Sequence, residues 1–297
     1  MQNATNTAAD RTAAVTGAGG GLGRETALGL AAKGYRVFGT ALDLGEIADL
    51  KEASGGAVAL TICDITDETA VKSWAREVAA QTDGGLDLLI QNAGILTPGP
   101  LEVLSLEAIR HEFEVNVFGA LAVANAFLPA LRRRCGRIVY ISTWTASLPL
   151  PFNGPSGASK AALEVIATIH RAELKPFGID VVVAAPGNMR TGGPAQVAAA
   201  LKRVADSFTD EQRQLYGNTF GAFTTKLNTM QGSGMAADAA AKRVIEIAEE
   251  SPAPIHAGVG EEAERILRFV REKPLAEQDA LRLQLVGLSN SSRHFHI

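Results

Sequence analysis

The stretch TAAVTGAGGGLGRETALGLAAKG, Thr12–Gly34, constrains the fold more than any other part of the chain. Its apolar start, Thr12–Gly17, reads as a strand, and Leu22–Gly34 reads as an apolar-faced helix closed by a glycine stop. Between them lies TGAGGGLG, Thr16–Gly23. Glycines at a tight turn often serve conformation alone, because they adopt positive φ without steric cost. At a strand-to-helix junction they also let backbone N–H groups and the positive helix end approach a pyrophosphate. A strand–turn–helix of this kind opens a βαβ unit, so the sequence predicts a dinucleotide-binding fold.

The same rhythm continues downstream. YRVFGTAL, AVALTIC, LDLLIQNAG, GRIVYIST and IDVVVAAPG read as further strands. Helical patterns separate them: Glu46–Ala53, DETAVKSWAREVAAQT, Leu106–Arg133, and a helix carrying Lys160 that runs to about Lys175. Alternation of this kind predicts an α/β fold with a parallel sheet covered on both faces. The unbroken apolar runs VVVAA and LDLLI agree, since parallel strands are buried on both sides. Over about 188–235 the rhythm breaks into Gly-rich, polar and weakly helical sequence, too long for a plain connection and expected to form a lid. DAAAKRVIEIAEE then restores a helix and PIHAGVG a last strand. The tail, about 261–288, reads as two amphipathic helices divided at Pro274. The economical organisation is one domain over 1–297.

Composition excludes several classes of function. A net charge of −4 offers no basic field for nucleic acid or an anionic membrane surface. Two cysteines, Cys63 and Cys135, give neither a disulfide framework nor metal-ligand spacing. Cys63 lies in an apolar run and is expected to be buried, Cys135 to be partly exposed. The start MQNATNTAADR lacks the basic and apolar regions of a secretory signal, and no apolar stretch is read as a membrane span. The expectation is a cytoplasmic protein with a small-molecule substrate.

Chemistry-bearing residues gather at the predicted carboxyl ends of strands, where ligands collect in open α/β sheets. Asp64 follows the third strand in CDIT, and Asn92 follows the fourth in NAG. Taken alone, both residues are more often helix caps or turn formers. Asn116 in EVNVFG is a polar residue within an apolar helix, either bonded to backbone or organising a site. GPSGASK, Gly154–Lys160, places Ser156 and Lys160 four positions apart on one helix face.

Together these motifs resemble the short-chain dehydrogenase/reductase family. TGAGGGLG, Asp64, NAG, Asn116, a Ser/Thr-ended fifth strand, SGASK and PGNMRT occur in that family's order and spacing over roughly Thr12–Thr191. GYRVFGTA and the tail after HAGVG further resemble the branch with retinol and 17β-hydroxysteroid dehydrogenase-like members. The resemblance implies a Rossmann-type doubly wound sheet binding NAD or NADP. Gly17, Gly21, Leu22 and Gly23 would face the pyrophosphate, Asp64 and Ile65 the adenine, and Asn92, Ala93 and Gly94 the adenosine ribose region. Lys160 would hold the nicotinamide ribose, and Pro186, Gly187, Met189 and Thr191 the carboxamide, with Met189 in place of the usual Val or Ile. Dimers or tetramers through Leu106–Arg133 and Ser156–Lys175 are also implied.

The family's proton chemistry uses an Asn-Ser-Tyr-Lys tetrad, matched here by Asn116, Thr143 (with Ser142 as alternative) and Lys160. The tyrosine position is Ser156. A phenol has a pKa of about 10, within reach of a lysine's influence, whereas an aliphatic alcohol starts several units higher and reaches less far. A Ser-Lys hydrolase would need a neutral lysine and an oxyanion hole, and the surrounding cofactor motifs supply no acyl pocket. Ala41 and Leu42 end the second strand, Asp43 follows, and Gly20 is uncharged, so no base awaits a 2′-phosphate and NAD is favoured. The expected function is oxidation or reduction of an apolar alcohol or ketone with altered proton transfer. The alternatives are a cofactor-binding protein without turnover and a dehydratase or cyclase reusing the pocket.

Overall fold

The computed structural model describes residues 11–190 and 193–288, the side chains of 193–196 excepted. Seven strands form one sheet: β1 (Thr12–Val15), β2 (Arg36–Ala41), β3 (Val58–Ile62), β4 (Leu88–Gln91), β5 (Arg137–Ile141), β6 (Asp180–Pro186) and β9 (His256–Val259). Their spatial order is β3-β2-β1-β4-β5-β6-β9, and every neighbouring pair is parallel. The order reverses between β1 and β4, whose register pairs Ala14 with Leu89. That reversal opens a crevice at the strands' carboxyl ends. The expected doubly wound α/β architecture is therefore present.

Alternating side chains serve opposite faces of the sheet, as the pleat requires. Ala14, Phe38, Leu89, Ile138 and Tyr140 pack with Trp74, Phe127 and Leu131 of α3 (Glu68–Gln81) and α5 (Ala120–Arg134). Ala13, Val15, Val37, Leu88 and Ile90 pack instead with Leu30, Leu50 and Val244 of α1 (Gly21–Ala32), α2 (Leu44–Ala53) and α9 (Ala237–Glu249). Between α3 and α5, α4 (Leu106–Phe113) runs into α5 through one π-helical turn, Glu114–Gly119, so that Leu106–Arg134 is continuously helical. This run is long enough to cross a membrane, and an 18-residue window within it is apolar enough, with a mean hydropathy of 1.5, contrary to the sequence reading. Half of that window is buried, and Val123, Ala124, Phe127 and Leu131 belong to the core, as in a core helix of a sheet protein.

The segment 188–235 corrects another expectation. In place of weakly helical sequence it holds α7 (Gly193–Asp206) and α8 (Asp210–Gly232), framed by the short parallel pair β7 (Met189–Arg190) and β8 (Met235–Ala236). Thr209 and Gln212 form a reciprocal capping box at the start of α8. Phe220 and Phe223 of α8 stack on each other and meet Phe152 and Phe208 edge-on or tilted in a third core. The tail contributes Ile266, Leu267 and Leu281 to that core from α10 (Glu261–Glu272) and α11 (Leu275–Leu285), divided at Pro274 as expected. The remaining long helix, α6 (Gly154–Leu174), lies against β6 and carries Ser156 and Lys160.

Candidate active site

The glycine turn is held from three sides. Thr16 Oγ1 accepts the backbone N–H groups of Asn92 (2.9 Å) and Ala93 (3.0 Å). Thr40 accepts at both oxygens, from Gly17 N at Oγ1 (2.9 Å) and from Ala18 N at its carbonyl (2.8 Å). Asn92 Nδ2 donates to the carbonyls of Thr16 (3.0 Å) and Gly17 (3.2 Å). Asn92 therefore clamps the turn with its side chain, a role the sequence reading did not give it. Gly17 and Gly21 have φ of +62° and +53°, which L side chains adopt at a cost. A Cβ at Gly23 would collide with the Gly17 carbonyl and the Asn92 amide. No side chain caps the N-terminus of α1, and its first turn holds no acidic residue. Unclaimed helical N–H groups behind a turn with no side chains form a cradle that fits a dinucleotide pyrophosphate.

Across the crevice, α4 and α6 supply the polar wall. Asn116 sits in the π-helical turn, fully buried. Its Oδ1 accepts Ile95 N–H (2.9 Å), and its Nδ2 faces the Ile95 carbonyl (3.0 Å), Ser159 Oγ (3.0 Å) and Glu112 Oε1 (3.3 Å). Lys160 Nζ donates to the Ile141 carbonyl at the end of β5 (2.9 Å). Burial pulls this ammonium down to about 8, against the opposing pull of the Glu112 and Glu164 carboxylates. A Cβ at Gly94 would lie 3.0 Å from Asn116 Oδ1 and 3.2 Å from Lys160 Nζ, so glycine there leaves the two groups facing one gap.

Ser156 lies in the first turn of α6, behind Pro155, and is nearly buried. Its carbonyl accepts Ser159 Oγ (3.1 Å), and its hydroxyl has no hydrogen bond among the described residues. Thr143, half-buried after β5, accepts Thr145 Oγ1 at 3.2 Å. The alternative hydroxyl, Ser142, is spent on Glu164 Oε1 at 2.6 Å, and Glu164 also meets His256 Nε2 at 3.2 Å. The chain's three tyrosines are elsewhere. Tyr140 is bonded to His170 Nδ1 in the core, Tyr35 to Arg11 and Glu249 at the amino-terminal end of the sheet, and Tyr216 to Glu102.

A cavity of about 510 Å³ joins these parts. Of the expected residues, Leu22, Asn92, Gly94, Thr143, Lys160, Pro186, Gly187 and Met189 line it. Ser142, the alternative hydroxyl, lines it too, whereas Ser156 and Asn116 do not. Ile95, Leu96, Val197, Ala200 and Arg203 are further lining residues that no sequence motif had marked. Asp64 is exposed and accepts from Thr66 at N (2.9 Å) and Oγ1 (2.8 Å), the local turn that its residue type favours. Ile65 is buried where Gly119 permits close approach. Thr191 lies outside the described residues. A second concavity of about 500 Å³ at the amino-terminal ends of the strands is lined by charges already paired, Arg11 with Glu249 (3.1 Å) and Arg137 with Asp180 (2.8 Å).

Residues 11–202 match the family described as short chain dehydrogenase. The chain is 31% identical over 232 residues to the mitochondrial D-beta-hydroxybutyrate dehydrogenase of Rattus norvegicus, covering 74% of this chain and 68% of the relative. It is 33% identical over 213 residues to retinol dehydrogenase 8 of Homo sapiens, covering 70% and 68%. Among solved structures, a short-chain dehydrogenase from Streptomyces avermitilis superposes with a TM-score of 0.75 at 26% identity, covering 97% of each chain. One from Burkholderia cenocepacia in complex with NADP gives 0.71 at 27% identity, covering 94% of this chain and 98% of the other. With the parallel sheet, the glycine cradle and the Asn116–Lys160 wall in place, the chain belongs to the short-chain dehydrogenase/reductase family, whose named relatives are oxidoreductases.

Proposed function

We propose that this chain is an NAD-dependent oxidoreductase that interconverts an apolar alcohol and its ketone, with Ser156 standing where the family's catalytic tyrosine stands. The observation that carries this reading is the single cavity in which Leu22 at the pyrophosphate end, Lys160, Thr143 and the apolar wall of α7 meet. A nicotinamide dinucleotide bound there supplies or accepts the hydride. Backbone N–H groups at the start of α1 hold the pyrophosphate, and two of the three Lys160 donors stay available to ribose hydroxyls. Thr143 donates to the substrate oxygen. Reduction requires a proton at that oxygen, and with no phenol on the described cavity wall the nearest donor is Lys160, which lines the cavity. Ile95, Leu96, Val197 and Ala200 favour an apolar substrate body.

Charge at the adenosine end supports NAD over NADP. Glu46 projects onto the glycine turn, where a Cβ at Gly19 would collide with its carboxylate, and its Oε2 accepts Leu42 N–H at 3.4 Å. Asp43 stands beside it as the cap of α2, accepting Gly45 N–H at 2.6 Å. The neighbouring cation, Arg24, is already held by Asp49 (3.0 Å) and Glu25 (2.9 Å). A carboxylate beside the end of β2 suits ribose hydroxyls and repels a 2′-phosphate. Exposed Phe118, Val165 and Ile169 on the α4–α5 run and α6 support self-association through these helices.

The test compares this chain with Ser156→Tyr. NADH binding and turnover of a panel of apolar ketones are measured for both. Slow turnover that rises by about 10²–10⁴ in the tyrosine variant is expected. Tight binding with no turnover until tyrosine is introduced would favour the cofactor-binding alternative, and absence of nucleotide binding would overturn the reading.

A further inference from the structure

Glu112 is the acid the sequence motifs did not mark, and the structure gives it an unusual place. Its carboxyl is fully buried, one helical turn before Asn116. Oε2 accepts Thr97 N–H at 2.8 Å, and Oε1 accepts Asn116 Nδ2 at 3.3 Å. Among the described residues no cation lies within ion-pair distance of it. A buried carboxylate without an ion-pair partner is costly, so such a group is retained where its charge or its hydrogen bonds act on a neighbour. Asn116 is the neighbour it touches, and Lys160 is the charge beyond it, facing the Asn116 amide across Gly94.

We propose that Glu112 is a positioning residue that, through Asn116, holds Lys160 as an ammonium ion facing the crevice. Its hydrogen bond joins those of Ile95 and Ser159 in setting which way the Asn116 amide points, with Oδ1 on Ile95 N–H beside the gap and Nδ2 turned away from it. Its negative charge offsets the desolvation of Lys160. Glu164, one turn along α6, is the other carboxylate acting on Lys160; it is partly exposed and already shared between Ser142 and His256. Arg203 on α7, exposed at the cavity wall, is the cation that works in the opposite sense. Burial raises the Glu112 carboxyl above its ordinary range, and the Thr97 hydrogen bonds and the Lys160 charge oppose that rise. Where a phenol is absent, the protonation of Lys160 becomes the quantity on which proton delivery depends. This inference deepens the proposed oxidoreductase reading and rests on it for its catalytic meaning.

The experiment does not need cofactor. Lysine labelled with ¹³C at Cε is followed by NMR from pH 6 to 11 in the full chain, with the Lys160 resonance assigned by Lys160→Met. The wild-type midpoint is expected near 8, and Glu112→Gln is expected to lower it by about one pH unit or more. Glu112→Asp, which keeps the charge, should stay within about half a unit of wild type. If the Gln variant does not fold, Glu112→Leu replaces the buried charge by an apolar side chain and should give the same fall. A midpoint that stays within about half a unit of wild type in Gln or Leu overturns the proposal. NADH titrations at pH 6 and 9 on the same variants separate the two readings. Loss of all binding sinks the cofactor assignment while the apo titration still decides the role of Glu112.

Discussion

Replacing Lys160 by methionine tests the electrostatic account of the crevice through stability alone. The unfolded chain holds the Lys160 proton up to about 10.5, and the folded chain only up to about 8, because burial disfavours the ammonium. Between those values the unfolded state binds more protons, so this group's contribution to stability rises with pH there. Below 8 both states are protonated, and the folded state carries the full cost of the buried charge. Each pH unit of separation is worth about 1.4 kcal/mol, giving a cost of about 3 kcal/mol at pH 7 that has mostly disappeared by pH 10. Methionine keeps the length and apolar stem, removes that cost, and strands the Ile141 carbonyl, a loss of about 1–3 kcal/mol that does not titrate. Urea unfolding of both proteins at pH 7 and pH 10 therefore isolates the titrating part. The methionine variant should be more stable relative to wild type at pH 7 than at pH 10, by about 2–3 kcal/mol. A difference between the two proteins that stays flat within about 1 kcal/mol across that range would refute the reasoning.

Other consequences are equally direct. Gly23→Ala should cost about 1–3 kcal/mol by overpacking the turn, seen in urea midpoints, and should weaken NADH binding more than it lowers stability. Glu46→Gln should tighten NADPH binding relative to NADH by about tenfold in a fluorescence titration; an unchanged ratio would remove Glu46 from the specificity argument. Trp74→Ala should destabilise by about 3–5 kcal/mol, since it empties a fully buried site edge-on to Phe127 at 4.8 Å, and calorimetry would show it as a lowered Tm.

The sheet and the glycine turn were legible because their physics is local. Apolar runs of strand length, a glycine cluster at a strand-to-helix junction and regular alternation each carry the same message, so the levels agree. The segment 188–235 was harder to read because its residues contradict its structure. GNTFGAFTTKLNTMQG holds the glycines and threonines that disfavour helix in isolation, yet Gly217 to Gly232 lie inside α8. Three threonines return their hydroxyls to the preceding turn: Thr224 to the Phe220 carbonyl, Thr225 to Gly221 and Thr229 to Thr225. Burial of Phe220 and Phe223 then decides the matter, a tertiary effect that no window of sequence contains.

The site shows the same division between local and long-range causes. Asp64 follows its intrinsic preference and closes a turn with Thr66. Asn92, in an equally turn-forming tripeptide, is recruited by the carbonyls of Thr16 and Gly17, far away in sequence, and becomes part of the glycine turn's frame. Glu112 in IRHEFEV has charged neighbours on both sides, the pattern of a solvated helix face. The fold turns it inward, against the backbone of the loop after β4, where the Thr97 N–H needs an acceptor. The π-helical turn that begins two residues later places Asn116 within reach of that same loop and of Ser159 on α6. An amide oxygen and an ammonium from two helical segments thus converge on one glycine, Gly94, whose missing side chain leaves the gap they face, with Glu112 behind the amide. The titration of Lys160 is the measurement in which this arrangement becomes visible.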